Sequence, residues 1–331
     1  MAETETIMQV RNLVVEYHSE VGFVRAVDGV SLSVQRGEIL GLVGESGCGK
    51  TTLGNALLRM INPPHRIGQG SIEFQGVGNI VELKPRQLAH YRWERISYVF
   101  QSAQNALNPL LTIENQARLV MQSHLMVSDQ KVRERLSDLL HLVNLQPTRV
   151  LKAFPHELSG GMKQRVGIAM ALLLEPDVVI LDEPTTALDV ISQAMVLSIL
   201  QQVHRQLHTT MIFITHDMSV IAELCDRVAV MYAGRLVELA PVNDLFYTPA
   251  HPYTRGLLHA VPSLEGDPMG LQAIPGQPPD LRQALVGCRY APRCPMRIDA
   301  CQTSDPVLVP LTDTRLAACL LLSPGEAAKE G

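Results

Sequence analysis

Residues Gly44–Thr52 read Gly-Glu-Ser-Gly-Cys-Gly-Lys-Thr-Thr, and this stretch decides the fold of the chain. It fits the pattern Gly-x-x-x-x-Gly-Lys-[Ser/Thr], in which glycines let successive backbone N–H groups turn toward a phosphate chain. The apolar run Ile39–Val43 before it predicts a buried strand, and the residues from Thr51 to about Met60 predict a helix. A strand, a glycine-rich turn and a helix N-terminus are the context in which this pattern binds phosphate; a chance match in a glycine-rich loop is the alternative.

Individual residues of this loop have separate predicted roles. Lys50 is placed to reach the β- and γ-phosphates of a nucleotide, and the Thr51 hydroxyl is placed to hold Mg²⁺. The other loop residues predicted to bind the nucleotide are Gly44, Ser46, Gly47, Cys48, Gly49 and Thr52. The loop therefore predicts that the chain binds a magnesium–nucleotide complex.

A second group of candidate residues follows two later strands. Val178–Leu181 is an apolar run that ends in Asp182 and Glu183, which is typical of a buried parallel strand that delivers a carboxylate at its edge. In a phosphate-binding fold Mg²⁺ lies at that edge, so Asp182 is predicted to hold the metal directly or through water, and Glu183 to polarise a water molecule. The alternative is an acidic pair that faces solvent. Another apolar run, Thr210–Thr215, ends at His216, which is predicted to lie near the same edge unless it is a structural histidine.

The residues between these strands predict a helical insert. From Glu114 to about Leu174, apolar residues recur three or four positions apart, without the long heptad array of a coiled coil. Leu158–Met162, Leu-Ser-Gly-Gly-Met, predicts the start of a helix within the insert, and hence a second helix end that can bind an anion. This signal alone is weak, because the same residues suit any helix cap. Ala187–Asp189 predicts the start of a further helix.

Other strands are predicted on both sides of the phosphate loop. Residues 7–17 and 26–34 predict a pair of strands, and Tyr17 lies near the loop that joins them. Tyr17 is a candidate for stacking on an adenine ring, with ordinary packing at a strand end as an equal alternative. Further strands are predicted at Gly70–Phe74, at Ile96–Phe100 and, as a hairpin, over Arg227–Glu238.

The composition changes after about Ala240, where prolines become frequent and predict a loop-rich extension without a sheet core of its own. The extension contains four of the six cysteines, Cys288, Cys294, Cys301 and Cys319. Four cysteines so close together in a cytosolic chain are typical of tetrahedral zinc or of a [4Fe-4S] cluster. Their spacing matches neither common zinc knuckles nor the ferredoxin run, and four unrelated small hydrophobic residues are the alternative. Cys48 and Cys225 are predicted to bind no metal.

Composition limits the class of protein. The chain has 331 residues, of which 46% are hydrophobic and 18% charged, enough for one large or two modest globular domains. No apolar run approaches the roughly 18 residues of a membrane helix, and the acidic start of the chain is unlike a signal peptide, so we expect a cytoplasmic protein. The net charge of −5 and the pI near 6.1 provide no basic field, so we expect no nucleic-acid partner.

Six of these motifs, in their order and spacing, resemble those of an ATP-binding-cassette (ABC) ATPase. They are the Walker A loop Gly44–Thr52, the Q-loop Gln101, the signature Leu158–Met162, the Walker B strand Val178–Glu183, the D-loop Ala187–Asp189 and the switch histidine His216. The resemblance covers roughly residues 7–240. It implies an α/β fold, a RecA-like P-loop core with an antiparallel β subdomain and an α-helical subdomain at about residues 102–175.

The extension resembles that of the oligopeptide/dipeptide importer ATPase subunits. The similarity rests on His251-Pro-Tyr-Thr254 and Gly287-Cys-Arg-Tyr-Ala-Pro-Arg-Cys-Pro295, followed by Cys301 and Cys319. It implies a nucleotide-binding domain at residues 1–245 and a metal-binding extension at residues 246–331. In part of that subfamily the four cysteines bind a [4Fe-4S] cluster, which favours iron–sulfur over zinc.

Two positions depart from the family pattern. Met162 stands where the general signature has glutamine, as in many peptide-importer subunits. Leu320 follows Cys319 where the subfamily has histidine, a change that leaves the ligand cysteine in place.

The resemblance also implies roles for the site residues. Thr51, Gln101 and Asp182 would contact Mg²⁺, and Lys50 and His216 would contact the phosphates of ATP. Glu183 would act as the base or orient the attacking water. The signature residues would close over the ATP of a second ATPase subunit: Ser159, Gly160 and Gly161.

The implied assembly is a peptide importer at the cytoplasmic face of the cell membrane. It pairs the chain with a second, different ATPase chain and with two transmembrane permease subunits, and a solute-binding protein acts indirectly. Nickel chelates and oligosaccharides are alternative solutes. A soluble ABC ATPase of translation or DNA repair is less favoured, because the chain has a single cassette and no coiled-coil insertion.

Overall fold

The structure is a computed structural model of the chain, and it describes residues 5–20, 22–101, 106–186, 188–260 and 273–322. Its strands are β1 (Thr6–Ser19), β2 (Gly22–Gln35), β3 (Ile39–Val43), β4 (Arg66–Phe74), β5 (Gly78–Asn79), β6 (Ile96–Val99), β7 (Val178–Asp182), β8 (Thr210–Ile214), β9 (Arg227–Tyr232), β10 (Arg235–Pro241), β11 (Val309–Pro310) and β12 (Leu316–Ala317). Its helices are α1 (Lys50–Leu57), α2 (Pro85–Glu94), α3 (Ile113–His124), α4 (Asp129–Leu142), α5 (Pro147–Val150), α6 (Gly160–Ala171), α7 (Val190–Leu207), α8 (Met218–Leu224), α9 (Val242–Tyr247) and α10 (Pro252–His259).

The chain divides into two compact units, each described here by itself. The first unit comprises Met1–Glu5, Gln35–Glu38 and Glu82–Phe213. The second unit comprises Thr6–Val34, Ile39–Val81 and Ile214–Gly331. The phosphate loop and the cysteine-containing extension therefore belong to the second unit, and the predicted helical insert belongs to the first.

The N-terminal strands of the second unit form a sheet in the order β2, β1, β4, β5. β1 runs antiparallel to β4, with Met8 opposite Phe74 and Val10 opposite Ile72. The predicted pairing of the first two strands is confirmed. The register of β1 with β4 shifts after Arg11, so that alternation along β1 is interrupted there.

The phosphate loop of the second unit follows a strand that is buried along its whole length. β3 is apolar throughout and runs parallel to β9, with Val43 opposite Val230. An apolar strand covered on both faces is typical of a parallel sheet. β9 and β10 form the predicted hairpin, which turns at Ala233 and Gly234 with φ of +47° and +84°.

The extension adds its strands to this hairpin. β12 runs antiparallel to β10, with Glu238 opposite Ala317, and β11 pairs with β12. Apart from the end of α9, α10 and these two-residue strands, residues 246–260 and 273–322 consist mostly of turns and irregular chain. The described part of the extension thus builds on β10 and has no separate sheet, as its composition predicted.

The first unit contains the strand that ends in acid and the helical insert. β6 runs parallel to β7, with Ile96 opposite Val178, and β8 lies beside β7. All five residues of β7 are buried, which confirms the predicted buried parallel strand. Helices α3 to α6 lie in the region of the predicted insert, and the apolar residues that recur three or four positions apart over 132–143 are buried, namely Val132, Leu136, Leu139, Leu140 and Val143.

Several boundaries differ from the sequence predictions for local reasons. α1 ends at Leu57 rather than near Met60, and Arg59 then has φ +52°, which is outside helical geometry. Cys225 is the C-cap residue of α8, and its side chain is buried. Across the described ranges, every helix is too short or too polar to cross a membrane. The division at residue 245 stays a prediction.

Candidate functional site

The phosphate loop, residues 44–50 of the second unit, is a turn that requires glycine at two positions. Gly44 has φ +147° and Gly49 has φ +105°, which are backbone conformations that side chains rarely adopt. A Cβ atom on either glycine would lie 2.2 Å from a carbonyl oxygen, that of Met231 for Gly44 and that of Ala26 for Gly49. Close backbone packing therefore sets the shape of the loop.

Lys50 and the start of α1 give this loop its positive character. Lys50 is only 6% exposed, and its Nζ donates hydrogen bonds to the carbonyl oxygens of Gly44, at 2.6 Å, and Glu45, at 3.0 Å. The N-cap residue of α1 is Gly49, which supplies no side-chain acceptor to the first turn. Such a helix end presents N–H donors and partial positive charge to an anion. The loop therefore fits a phosphate chain.

The other predicted loop residues differ in exposure. Ser46 and Gly47 are exposed at the tip, Thr51 is exposed in the first turn of α1, and Thr52 is half-buried. Cys48 is buried, and burial raises the pKa of its thiol. That Cys48 binds no metal stays a prediction.

An arginine of the extension contacts the phosphate loop. Arg293 is 7% exposed, and its Nη1 and Nη2 donate to Oε2 and Oε1 of Glu45 at 2.6 and 2.9 Å. Its Nε donates to the Pro275 carbonyl oxygen at 2.8 Å. Hydrogen bonding to Glu45 raises the pKa of Arg293, so its guanidinium stays charged. A bidentate pair fixes the orientation of both partners, so the extension holds the side chain of Glu45 in place.

A tyrosine of the extension contacts the same loop residue. The backbone N–H of Glu45 donates to the hydroxyl of Tyr253 at 2.8 Å, and Tyr253 is fully buried. Its ring centroid lies 4.6 Å from that of Tyr232 and 5.4 Å from that of Tyr290. Burial raises the pKa of Tyr253, so its hydroxyl is neutral. Glu45 is thus held by the extension through both its backbone and its side chain.

His251 connects this part of the extension to β10 and to the cysteine region. Its backbone N–H donates to Oε2 of Glu238 at 2.9 Å, and its Nδ1 accepts from the N–H of Tyr253 at 3.0 Å. The imidazole also hydrogen-bonds the backbone of Ala318, which precedes Cys319. Burial lowers the pKa of His251 to about 4, so the ring is neutral at neutral pH.

Asp182 and Glu183, at the end of β7 in the first unit, form what we call the acid edge. Asp182 is 1% exposed, and the hydroxyl of Tyr98 donates to its Oδ2 at 2.8 Å. Burial and the charge of Asp182 raise the pKa of Tyr98, so the hydroxyl keeps the proton that it donates. A carboxylate held in this way has the oxygen donor chemistry that Mg²⁺ prefers.

Glu183 has an unusual backbone and two side-chain partners. Its φ is +47°, a left-handed conformation that is uncommon outside glycine and that clusters at functional sites. Gln101 Nε2 donates to Glu183 Oε2 at 2.8 Å, and the Thr186 hydroxyl donates to the same oxygen at 3.0 Å. The structure thus brings together Gln101, a predicted magnesium contact, and Glu183, the predicted base or water-orienting residue.

The predicted signature residues also lie in the first unit. Ser159 is exposed and is the N-cap of α6, where its hydroxyl accepts from the N–H of Met162 at 3.3 Å. Gly160 and Gly161 follow in the first turn and are partly exposed. The predicted helix start is confirmed, and it is accessible to solvent.

His216 and Tyr17 belong to the second unit. His216 is exposed and follows Thr215, whose backbone N–H donates to the carbonyl oxygen of Leu42 in β3 at 3.2 Å. The structure therefore places His216 beside the strand that leads into the phosphate loop. Tyr17 is half-buried in β1, and its ring lies 4.5 Å from that of His65. Its stacking on adenine stays a prediction.

The four cysteines of the extension are free. They lie near enough to one another that a thiolate at any one of them would oppose ionisation of each of the others. Burial raises the pKa of three of them, Cys288, Cys294 and Cys319, and backbone N–H groups point at the same three sulfur atoms. Hydrogen bonds of this kind favour the thiolate, which is the form that binds metal. Among the residues that the structure describes, no three of these sulfur atoms lie within 4.8 Å of one another.

Sequence reasoning missed four contacts of these sites. Arg293 and Tyr253 lie within stretches that carried the family resemblance, but no role was assigned to either side chain. Tyr98 and Thr186 had no sequence signal, because a strand tyrosine and a loop threonine are common. All four act through contacts that local patterns do not reveal.

Comparison with known proteins gives two family matches. The profile described as ABC transporter matches residues 27–186. The profile described as oligopeptide/dipeptide transporter, C-terminal region, matches residues 237–301. The matches therefore cover the phosphate loop, the acid edge and the first three cysteines of the extension.

Individual relatives are similar over nearly the whole chain. The probable peptide ABC transporter ATP-binding protein y4tR of Sinorhizobium fredii is 43% identical over 321 residues, which is 96% of this chain and 95% of the relative. The oligopeptide transport ATP-binding protein OppD of Escherichia coli is 42% identical over 318 residues, 96% of this chain and 94% of the relative. The dipeptide transport ATP-binding protein DppD of Bacillus subtilis is 40% identical over 320 residues, with 96% and 95% covered.

Solved structures are similar over about three quarters of the chain. Clostridium perfringens cbiO1, part of the ABC transporter complex cbiONQ, has a TM-score of 0.63 at 27% identity and covers 74% of this chain and 92% of its own. The ATP-binding cassette MJ0796, solved as a dimer bound to ADP and Pi, has a TM-score of 0.64 at 26% identity, with 71% and 98% covered.

Proposed function

This chain belongs to the ATP-binding subunits of ABC transporters of the oligopeptide/dipeptide family, and on that premise we propose that it hydrolyses ATP to energise peptide import across a membrane. The observation that carries the proposal is the phosphate loop, with Lys50 buried against it and a helix start without a side-chain cap behind it. The names of the relatives, which are peptide, oligopeptide and dipeptide transport ATP-binding proteins, support the class of solute.

Residues of each unit have their own proposed roles. In the second unit, Lys50 and the backbone N–H groups of the loop would bind the phosphates, with Thr51 as a magnesium ligand. In the first unit, Asp182 would hold Mg²⁺ directly or through water, and Glu183 would orient and deprotonate the attacking water with the help of Gln101. The hydrogen bonds of Glu183 support this role, because they fix the carboxylate before the substrate binds.

His216 and the signature residues would complete the site. His216 would contact the γ-phosphate of the ATP bound to its own chain. Ser159, Gly160 and Gly161 would close over the ATP of a second ATPase subunit, because an exposed helix start provides N–H donors for phosphate. The dimer described for the cassette MJ0796 supports pairing of two such subunits. We infer that the second subunit is a different chain.

The assembly places this chain at the cytoplasmic face of the membrane, bound to two permease subunits. Contacts that ATP makes only when two ATPase subunits close would favour the closed pair, and hydrolysis would remove them. A solute-binding protein would deliver the peptide to the permeases, so this chain would act without touching the solute.

The extension fits a [4Fe-4S] cluster held by four cysteines. Tetrahedral zinc with Zn–S bonds of about 2.3 Å would bring the sulfur atoms to about 3.8 Å from one another, whereas a cubane separates its ligands further. Among the described residues no three of the sulfur atoms lie within 4.8 Å of one another, and this wide spacing supports the cluster over zinc. Cys288, Cys294, Cys301 and Cys319 would be the ligands, and the cluster would mainly support the fold of the extension.

Reconstitution with the permease pair, the partner ATPase and a solute-binding protein tests the transport function. We expect ATP-dependent uptake of a labelled di- or oligopeptide into proteoliposomes and stimulation of ATP hydrolysis by the loaded binding protein. Hydrolysis that ignores the permeases and the binding protein would overturn the proposal. Uptake of a nickel chelate or an oligosaccharide in place of peptides would overturn the class of solute but not the ATPase.

Anaerobic purification tests the cluster. We expect about four irons per chain and broad absorption near about 400 nm, both lost in Cys294→Ser, with Cys225→Ser as the matched control. Stoichiometric zinc without iron would overturn the iron–sulfur assignment and leave the four cysteines as a zinc site.

A further inference from the structure

Two histidines and a glutamate meet in the first unit, away from the residues assigned to ATP. His90 and Glu94 lie in α2, and His124 is the last residue of α3. The Nδ1 atoms of His90 and His124 lie 2.8 and 2.9 Å from the same oxygen, Oε1 of Glu94. One ligand atom from each residue lies within 4.8 Å of the other two.

The backbone immediately before Glu94 is strained. Arg92 has ψ 138° and Trp93 has φ +74°, so α2 is not a regular helix between His90 and Glu94. A positive φ is a genuine outlier for a bulky residue such as tryptophan, and strain of this kind persists only where surrounding contacts fix it. The break therefore helps to set where Glu94 meets His124, which a helix pattern would not predict.

The donor set suits a transition-metal ion of borderline softness. Two imidazole nitrogens and one carboxylate oxygen are a common set for Zn²⁺, which completes its coordination with water. Tetrahedral bonds of 2.0–2.2 Å would separate these ligands by about 3.4 Å, so each histidine nitrogen would move about half an ångström away from Oε1 of Glu94 to admit the ion.

The surroundings of the three residues also fit such a site. The side chain of His124 is 11% exposed and that of Glu94 29%, whereas that of His90 is 66% exposed. The site is thus held from one side and open to water ligands on the other. Burial of Glu94 opposes its ionisation, but hydrogen bonds from the two histidines outweigh this effect and lower the pKa of the carboxyl, which keeps it anionic.

The geometry points to a binding site for one divalent transition-metal ion, Zn²⁺ first, formed by His90, Glu94 and His124. The ion would join the end of α2 to the end of α3. β6 follows α2, and Gln101 follows β6, so the ion would stiffen the segment that leads to Gln101. The site depends neither on ATP nor on the cysteines, and it stands whether or not the proposed function holds.

Zinc titration of the full-length protein tests this site. The protein is purified with the metal of its extension in place and then freed of loosely bound metal. Excess Mg²⁺ is kept in the buffer so that sites with oxygen ligands are already occupied when zinc is added. We expect one equivalent of Zn²⁺ to bind in calorimetry and to raise the thermal unfolding temperature. With Co²⁺ as the probe, we expect a d–d band without sulfur-to-cobalt charge transfer, which separates this site from the cysteines.

Three variants make the assignment specific. His124→Gln and Glu94→Gln should weaken zinc binding by about tenfold or more and abolish the rise in unfolding temperature. His141→Gln, on the exposed face of α4, is the matched control and should bind zinc as the wild type does. Circular dichroism and ATP binding without zinc check that each variant is folded. The inference is overturned if the wild type binds no additional zinc, or if folded His124→Gln and Glu94→Gln bind it unchanged.

Discussion

The phosphate loop and the acid edge are held in place by different parts of the chain. The phosphate loop is contacted at Glu45 by Tyr253 and Arg293, which lie 208 and 248 positions further along the sequence. The acid edge is contacted by Tyr98, Gln101 and Thr186 from within its own unit, at separations of 84, 82 and 3 positions. The two groups of proposed site residues therefore depend on different neighbours.

This difference indicates that nucleotide binding and hydrolysis are separable in this protein. The glycines of the loop set its backbone, but the extension fixes Glu45, the second residue of the motif. Changes in the extension should therefore alter the affinity for ATP. Changes at the acid edge should alter the rate of hydrolysis and leave affinity largely intact.

The largest expected effect comes from the acid edge. Glu183→Gln keeps an oxygen that can accept from Gln101 and Thr186 but removes the base, so hydrolysis in the assembled transporter should fall by about 10²–10⁴-fold. ATP binding, measured by fluorescence titration, should change little. Glu134→Gln, on the exposed face of α4, is the control and should keep normal turnover. Near-normal turnover in Glu183→Gln would refute the role of Glu183, and lost ATP binding would break the separation.

The next effect is a pH dependence that arises beside the phosphate loop. The pKa of His251 is lowered by burial from 6.5 to about 4. The folded state therefore binds fewer protons than the unfolded state between these values. The free energy of unfolding is therefore highest above pH 6.5 and falls as the pH drops toward 4. At 1.36 kcal/mol per pKa unit, the neutral, buried His251 accounts for a loss of about 3 kcal/mol in total.

His251→Asn tests this dependence. Asparagine can still accept from the N–H of Tyr253 at the start of α10, but it does not titrate. Free energies of unfolding from denaturant titrations at pH 7 to 4 should show the wild type losing about 3 kcal/mol more than this variant. His141→Asn should behave as the wild type. Parallel pH profiles for the wild type and His251→Asn would show that His251 does not contribute.

A smaller effect is expected from the ion pair between the extension and the loop. Arg293→Ala leaves Glu45 without its bidentate partner, so stability should fall by about 2 kcal/mol and ATP should bind about tenfold more weakly. The rate at saturating ATP should stay near that of the wild type. Arg293→Lys should be intermediate, because an ammonium group cannot form the paired hydrogen bonds.

Arg282→Ala is the matched control for the extension. Arg282 forms an ion pair with Asp280 that is 66% exposed on the arginine side, so its loss should leave both stability and ATP binding unchanged. If Arg293→Ala is folded and binds ATP as tightly as the wild type, the extension does not position the loop. If it instead lowers the saturated rate, nucleotide binding and hydrolysis are not separable.

The same contrast explains how much could be predicted from the sequence. β3, the phosphate loop and α1 were predictable because an apolar run, fixed glycines and a helix pattern follow one another locally. β7 with Asp182 was predictable for the same reason. The role of Arg293 was not, because a contact over 248 positions depends on tertiary packing that no local pattern encodes.

Some site residues were predicted only through the family resemblance, and some details of the backbone were not predicted at all. Gln101 and Glu183 were assigned to the site through the family pattern, and the structure joins them by a hydrogen bond. The break in α2 at Trp93 had no sequence signal, since tryptophan is compatible with an ordinary helix. Local patterns thus specify elements and strand-end residues, whereas partners across the fold need the structure.

The smallest expected effects come from two single hydroxyl groups, one on each side of the comparison. Tyr253→Phe leaves the N–H of Glu45 without its acceptor and should weaken ATP binding about fivefold, or about 1 kcal/mol. Tyr98→Phe removes the donor to Asp182 and should instead raise the Mg²⁺ concentration needed for half-maximal hydrolysis, with ATP binding in the absence of Mg²⁺ unchanged. Both hydroxyls are neutral donors or acceptors at neutral pH, so neither effect should depend on pH there. Titrations of ATP and Mg²⁺ on the two variants measure this directly. If the two variants shift the same parameter, the division of labour between extension and acid edge is wrong.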